Sequence, residues 1–375
     1  MTLTHDTTIT ATAPGLAALA AEHAVTSEAG RTLAPPVVEA LRASGFARHF
    51  VPRAHGGSAG TFVELSRAVA VLGAACPATA WCASIAASLS RMAAYLPATG
   101  QHEVWGQGPD PVVVGSLMPL GTVTAVPGGW RLSGEWPYVS GVDFADWALL
   151  CGMAPGDNGP VGMMFAVPRA SFAVRDTWLN VGMQATGSNT VSTAEVFVPA
   201  HRAFPREDLF TGGAMASSAH CHQVPLQAVN GLSFATPALG AARGALASAS
   251  AYIAGKLRAP ARGPGLTRAT YDTVLARSAG EIDAVELLFD RASATADRGS
   301  DVTPLEVART LRDCALGVET LVGAVDRLFR AAGTTGQSVA NPLQRYWRDV
   351  NSASTHVALQ LEPAAIAYTD RLLEL

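Results

Sequence analysis

Residues 112–136 read VVVGSLMPLGTVTAVPGGWRLSGEW, and this stretch decides the fold class of the chain. Runs of β-branched and aromatic residues alternate here with Gly and Pro, which is the pattern of short strands joined by tight turns. Pro127-Gly128-Gly129 separates two such runs and predicts a hairpin, and 155–160 (PGDNGP) predicts another. Because no helical pattern interrupts this region between Pro109 and about Phe204, the sequence predicts an antiparallel sandwich or barrel rather than a doubly wound sheet. The predicted strands are 112–118, 122–126, 130–136, 147–153, 162–167, 172–178 and 190–198.

Helical patterns lie on both sides of the predicted strands. The N-terminal side is helical to about Gly106, and Pro35-Pro36 marks one helix start. Long helices on the C-terminal side cannot bury their apolar faces singly, so a bundle is expected; they are predicted at 239–257, 267–295, 304–331 and 342–369. The sequence therefore predicts a multi-domain α+β chain with an N-terminal α-helical domain (1–108), a middle antiparallel β-barrel or sandwich (109–205) and a C-terminal four-helix bundle (206–375).

Composition excludes several classes of function. The 375 residues carry a net charge of −4 with no basic run, and Lys256 is the only lysine, so no nucleic acid is expected as a partner. The apolar run at 68–89 is interrupted by Pro77 and is interpreted as buried helix, so no membrane span is expected. The N-terminus has no basic segment typical of a signal peptide. The five cysteines have no regular spacing, which favours a reducing, cytoplasmic location.

Sequence motifs for common cofactors are missing from the chain. No GxGxxG, GxxxxGK[ST] or HExxH pattern occurs, so a nicotinamide-binding domain and a phosphoryl-transfer loop are unsupported. The cluster His220-Cys221-His222 lacks the ligand spacing of a metal site, so no metal is predicted. It is typical of a polar loop, although His220 and His222 are also candidates for lining a substrate pocket.

Two segments carry residues suited to ligand chemistry. Residues 134–141 (GEWPYVSG) place Trp136 before Ser140 and Gly141, a pattern that suits a flat heteroaromatic ligand but is equally typical of a strand ending in a Ser-Gly turn. Near the C-terminus, the 4, 3, 4 spacing predicts one polar helical stripe of Arg345, Asp349, Ser352 and His356. A histidine there can act as acid or base near neutral pH, although a lone histidine is more often structural.

The order of helical domain, β domain and helical bundle resembles the acyl-CoA dehydrogenase fold. Five local motifs in the same order strengthen the resemblance, which covers nearly the whole chain: 41–57 (LRASGFARHFVPRAHGG), 178–183 with Thr186-Gly187-Ser188, 196–199 (VFVP), 239–246 (LGAARGAL) and 345–349 (RYWRD). Dehydrogenases of this superfamily place a carboxylate base just after the last motif. Residues 354–359 read STHVAL here, and Glu362 lies further along.

The chain instead resembles the two-component flavin monooxygenases of this fold. In that branch a Trp-x-x-x-Ser-Gly segment and a C-terminal histidine flank the flavin, which correspond to Trp136, Ser140, Gly141 and His356. The resemblance implies that reduced FMN, or FAD as the alternative, comes from a separate NAD(P)H-dependent reductase and forms a C4a-hydroperoxide with O2. It assigns catalytic roles to Ser140 and His356 and flavin contacts to Arg258, Thr334 and Thr335, the last two from a neighbouring subunit of a homotetramer.

The substrate side departs from the phenol-hydroxylating relatives. Where they often carry a histidine that binds the substrate hydroxyl, this chain has Leu89, Ser90 and Arg91. The expected function is oxygenation of an aromatic, polycyclic or amino-sugar intermediate of secondary metabolism, such as antibiotic biosynthesis. Two alternatives are an FAD-dependent acyl-CoA dehydrogenase-like oxidoreductase and a flavin-free binding or scaffold protein of the same fold.

Overall fold

The computed structural model describes residues 8–212, 217–259 and 266–374. Its first part is helical: α1 (Ile9–Glu22), α2 (Ala24–Gly30), α3 (Pro35–Ala43), α4 (Phe62–Ala75), α5 (Pro77–Ala93) and α6 (Ala98–Trp105). Pro77 occupies the first turn of α5 and so separates α4 from α5 within the apolar run. Every residue of α5 is buried, which explains why its residues are apolar or small except Arg91, whose guanidinium donates to the Cys221 and Val224 carbonyls. No helix among the described residues is long and apolar enough to cross a membrane.

The middle part consists of two four-stranded sheets, ordered β1-β4-β5-β8 and β2-β3-β7-β6. The strands are β1 (Val113–Ser116), β2 (Thr122–Val126), β3 (Gly129–Val139), β4 (Trp147–Ala154), β5 (Val161–Pro168), β6 (Ala173–Arg175), β7 (Asn189–Pro199) and β8 (Ala203–Pro205). Both predicted hairpins form, as β2-β3 and β4-β5. All strand pairs are antiparallel except β1 with β4, which run parallel. The three-residue strand β8 was not predicted because so short a run carries no alternation.

The last part is helical again and is organised around one long helix. Its elements are α7 (Asp208–Thr211), α8 (His220–Gln223), α9 (Asn230–Arg258), α10 (Arg268–Ala296), α11 (Pro304–Ala331), α12 (Gly333–Gln337), α13 (Pro342–Ser354) and α14 (Leu361–Leu372). Helix α9 packs against α4, α5, α10, α11 and α13, so it joins the N-terminal helices to the bundle. The predicted α+β fold, with helices on either side of an antiparallel β region, is confirmed.

One predicted helix is wrong in its length. The segment 342–369 is divided, because α13 ends at Ser354 and His356 has extended backbone (φ −64°, ψ 137°). The Ser354 and Thr355 hydroxyls donate to the carbonyls of Asn351 and Ser352, at 2.7 Å each, and such local bonds compete with continued helix. His356 therefore lies beyond the helix, and it does not share the predicted stripe with Arg345 and Asp349.

Candidate functional site

Four side chains from distant parts of the sequence meet where the β region contacts the helices. Trp81 of α5 donates its indole N–H to the Ser140 hydroxyl, with 3.0 Å between Nε1 and Oγ. Phe234 of α9 stacks on the His356 ring with 3.6 Å between ring centroids, and the Trp81 ring lies 5.1 Å from Phe234 and 5.9 Å from His356. We call these four residues the Trp81–His356 cluster. It brings together the two residues that the sequence predicted as catalytic.

A sharp turn fixes the backbone around Ser140. Gly141 follows it with φ +72°, a conformation that favours glycine, and its N–H donates to the Thr186 carbonyl at 2.8 Å. The Ser140 hydroxyl lies 2.8 Å from the Ser188 hydroxyl, which lies 2.7 Å from that of Thr186. Thr186 in turn donates to the Met183 carbonyl at 2.8 Å. We call this sequence of hydrogen bonds from Trp81 to Met183 the hydroxyl chain.

His356 is neutral at physiological pH in this position. Burial lowers the pKa of its imidazole to about 4, because the cationic form loses hydration among the surrounding aromatic rings. Its Nδ1 accepts the N–H of Ala358 at 3.2 Å, which assigns the ring proton of the neutral form to Nε2. His356 is therefore a hydrogen-bond donor through Nε2.

Asp349 connects helix α13 to the hydroxyl chain. Its carboxylate is buried and accepts the Met183 N–H at 2.6 Å. Burial raises the pKa of this carboxyl group to about 7, although Arg348 and Arg345 oppose the shift. Those two arginines both pair with Glu28 of α2. Asp349 thus holds Met183, whose φ is +53°, in the position from which its carbonyl accepts Thr186.

The structure places Trp136 away from this cluster. Its ring is fully buried between the two sheets, and Nε1 donates to the Cys151 carbonyl at 2.8 Å. No face of the indole is exposed to a ligand, so the expectation that Trp136 contacts flavin is corrected. The tryptophan beside Ser140 is Trp81, which lies in none of the sequence motifs. Its only signal was a single large aromatic residue in a helix otherwise rich in Ala and Ser.

The predicted substrate residues have different environments. Leu89 is buried toward β1, since a Cβ built on Gly115 would lie 2.9 Å from its Cδ1. Ser90 is fully buried, and its hydroxyl has no hydrogen-bond partner among the described residues. His222 is also fully buried, with its ring nitrogens bonded to the Phe50 carbonyl (2.6 Å) and the Ser217 hydroxyl (2.7 Å). Because both nitrogens are engaged, the expectation for His222 is corrected to a structural role.

His220 lies at a separate cavity. Its Nδ1 bonds the Asp297 carbonyl at 2.9 Å, and it lines a cavity of about 600 Å³ together with Arg53 and Thr61. None of the residues of the Trp81–His356 cluster lines this cavity. The structure therefore does not bring His220 together with Ser140 and His356.

The predicted flavin contacts in the bundle are exposed, and Arg258 is remote from the Trp81–His356 cluster within one chain. Arg258 is at the C-terminal end of α9, 24 residues after Phe234, which corresponds to about 36 Å along the helix. Thr334 and Thr335 are exposed on α12. Glu362, the alternative dehydrogenase base, is exposed in the first turn of α14.

Comparison with known proteins identifies relatives over nearly the whole chain. Residues 232–361 match the family model of the acyl-CoA dehydrogenase C-terminal domain. The chain is 32% identical over 363 residues to the oxygenase component of the FADH2-dependent resorcinol hydroxylase of Rhizobium sp., covering 92% of this chain and 89% of that protein.

Two solved structures extend the match to three dimensions. The 3-HSA hydroxylase of Rhodococcus sp. RHA1 superposes with a TM-score of 0.92 at 27% identity, covering 99% of this chain and 98% of that one. XiaF of Streptomyces sp., in complex with FADH2 and glycerol, superposes with a TM-score of 0.88 at 29% identity, covering 98% and 95%.

Proposed function

Because the chain belongs to the oxygenase components of two-component flavin-dependent monooxygenases, which have the acyl-CoA dehydrogenase fold, we propose that the Trp81–His356 cluster is its reaction site. The chain is thus a flavin-dependent monooxygenase that works with a separate reductase. The observation that carries the assignment is the meeting of Ser140 and His356 beside Trp81, from segments more than 200 residues apart in the sequence.

The residues present fit a reduced flavin. Trp81, Phe234 and His356 supply ring faces and edges for a flat heteroaromatic ligand, and the Ser140 hydroxyl supplies a hydrogen-bonding group for its polar edge. Gly141 brings backbone close to the same position without a Cβ. In this proposal Ser140 and Gly141 contact the central ring of the flavin, near N5.

The reaction needs an activated oxygen atom, and bound reduced flavin supplies it by reducing O2. The protein orients the reacting groups and excludes water from them. His356, neutral and protonated on Nε2, donates a hydrogen bond to negative charge that develops on oxygen in the site. The buried walls formed by α5 and α9 keep water from the reacting atoms and so limit wasteful release of H2O2.

We propose an electron-rich aromatic ring as the substrate class. The aromatic cluster supports a flat substrate stacked beside the flavin, and the name of the resorcinol hydroxylase points to a hydroxylated aromatic substrate. The segment in which the phenol-hydroxylating relatives often carry a histidine reads Leu89, Ser90 and Arg91 here, so no histidine binds the substrate hydroxyl at that position. This favours a polycyclic aromatic intermediate of secondary metabolism over a simple phenol or an amino sugar.

The flavin form and the assembly are further parts of the proposal. Two relatives at 32% and 29% identity are named with FADH2, which favours FAD over the FMN expected from sequence. The exposed positions of Arg258, Thr334 and Thr335 suit contact with flavin phosphates that are held between subunits of a homotetramer. Light scattering of the purified protein measures the number of subunits. Five buried free cysteines support a reducing, cytoplasmic location.

Loss of coupling tests the site. With reduced flavin supplied by a reductase, we expect His356→Ala and Ser140→Ala each to lower the product formed per O2 consumed by about 10-fold or more and to raise H2O2 release correspondingly. His102→Ala, an exposed histidine of α6, is the matched control and should retain the wild-type ratio. Unchanged coupling in both site variants would refute the assignment.

A further inference from the structure

The protons of the hydroxyl chain can point in one direction only. The Met183 carbonyl has no proton, so the Thr186 hydroxyl at 2.8 Å must donate to it. A hydroxyl has a single proton, so Thr186 then accepts from Ser188, and Ser188 accepts from Ser140. Every bond of the chain is satisfied in this arrangement, whereas the reverse leaves two buried oxygens in contact without a proton between them.

Ser140 is consequently an acceptor toward the ligand. Its proton is donated into the protein, to Ser188, and one of its two lone pairs accepts the Trp81 indole N–H. One lone pair is left over. The direction of the chain is fixed at its far end, where Asp349 holds the Met183 N–H and the Trp178 indole also donates to the Met183 carbonyl at 2.9 Å.

The two redox states of a flavin differ in whether N5 accepts or donates a hydrogen bond. Oxidised flavin has a lone pair and no hydrogen on N5, so N5 only accepts a hydrogen bond. Reduced flavin carries a hydrogen there and donates one. An acceptor-only Ser140 therefore matches the reduced form and opposes the lone pair of the oxidised form.

We propose that the hydroxyl chain of Ser140, Ser188 and Thr186, anchored at the Met183 carbonyl, selects reduced over oxidised flavin. The inference rests on the proposed function, because it takes Ser140 to face N5. Thr186 and Ser188 act through Ser140 and are positioning residues. Selection of this kind suits an enzyme that must take reduced flavin from a reductase and release oxidised flavin after each turnover.

The test is the ratio of two dissociation constants, measured by ultrafiltration with oxidised FAD in air and with dithionite-reduced FAD under anaerobic conditions. Wild type should bind reduced FAD on the order of 10-fold or more tightly than oxidised FAD. In Thr186→Val, Ser188 loses its acceptor and turns to Ser140, whose proton becomes free for N5. We expect the ratio to fall toward one, chiefly because oxidised FAD binds more tightly.

Further variants separate this effect from general damage. Ser188→Ala frees the Ser140 proton directly and should lower the ratio as well, and it serves if Thr186→Val does not fold. Thr186→Ser keeps the hydroxyl and should keep the wild-type ratio. Thr193→Val removes a similar hydroxyl–carbonyl bond in β7, 3.2 Å to the Leu132 carbonyl and outside the hydroxyl chain, and should leave the ratio unchanged.

The outcomes distinguish the two proposals. If wild type binds reduced FAD but Thr186→Val and Ser188→Ala keep its ratio, the redox selection is refuted while the proposed function stands. Equal binding of both forms by wild type also refutes the selection alone, as does an equal change of the ratio in Thr193→Val. If wild type binds no reduced FAD or FMN, the proposed function fails and this inference fails with it.

Discussion

Among single residues, Asp349 is a buried carboxyl group that positions backbone without belonging to the Trp81–His356 cluster. It is buried beside Arg345 and Arg348, yet both arginines are directed to Glu28, so the carboxyl group remains largely a hydrogen-bond acceptor for Met183. Removing the side chain would release the turn that carries Thr186 and Ser188. Neutralising it in place would not, because an amide oxygen also accepts an N–H.

The stability of Asp349→Asn should therefore depend on pH relative to wild type. The carboxyl pKa is raised from 3.8 to about 7 on folding, so its contribution to stability is full below pH 3.8 and is lost as pH rises through 7. The asparagine does not titrate. We expect Asp349→Asn to gain stability relative to wild type between pH 5 and pH 8, by about 3 kcal/mol.

Urea unfolding at several pH values measures this difference. Asp272→Asn, which removes an exposed i,i+4 partner of Arg268, is the control and should show little pH-dependent difference. A difference for Asp349→Asn that stays constant from pH 5 to pH 8 would contradict the assigned pKa. The groups that face Asp349, Glu28, Arg345, Arg348, Cys76 and Tyr346, remain in place in this comparison.

At the scale of elements, the crossing of α4 and α9 sets how closely the N-terminal helices approach the bundle. A Cβ built on Gly240 would lie 2.5 Å from the Ala70 carbonyl oxygen and 2.6 Å from the Gly73 Cα. Backbone atoms cannot move aside as a flexible side chain can. Helix α4 leads directly into α5, which carries Trp81, and α9 carries Phe234, so this crossing also positions the site.

Gly240→Ala should destabilise the protein by about 1–3 kcal/mol, because steric overlap with α4 outweighs the gain of up to about 1 kcal/mol in helix propensity. Gly255 lies in the same helix with open space around it, so Gly255→Ala should be neutral or stabilising by up to about 1 kcal/mol. The free energy of unfolding in urea measures both. Equal effects of the two substitutions would show that the close crossing does not limit stability.

The helices and hairpins that depend only on neighbouring residues in the sequence were predicted correctly. The two hairpins follow from Pro-Gly and Asp-Asn-Gly punctuation, and the long helices α10 and α11 follow from uninterrupted periodicity. The break after Ser354 was missed because it depends on the side chains of Ser354, Thr355 and Gln360, which bond the last carbonyls of α13. Those residues are compatible with helix in other surroundings.

At the scale of the whole molecule, the site is assembled from all three parts of the chain. The sequence predicted Ser140 and His356 through a family resemblance but selected Trp136 as the aromatic partner. The choice between Trp136 and Trp81 is made by tertiary packing, since Trp136 fills the core between the sheets and Trp81 on α5 reaches Ser140 of the β region. Phe234 lies before the helix predicted at 239–257, although the structure begins that helix at Asn230, so no local signal marked it as a site residue.

The proposed activity of the whole molecule depends on one property, which is that the chain binds reduced flavin and controls its reaction with O2. Stopped-flow absorbance follows the return of oxidised flavin after an anaerobic mixture of protein and reduced FAD meets oxygenated buffer, with reduced FMN in a parallel series. We predict that excess wild-type protein slows the return of oxidised flavin relative to free reduced flavin, and that Ser140→Ala largely restores the free-flavin rate. Identical rates with and without wild-type protein, for both flavins, would contradict this property and the function that rests on it.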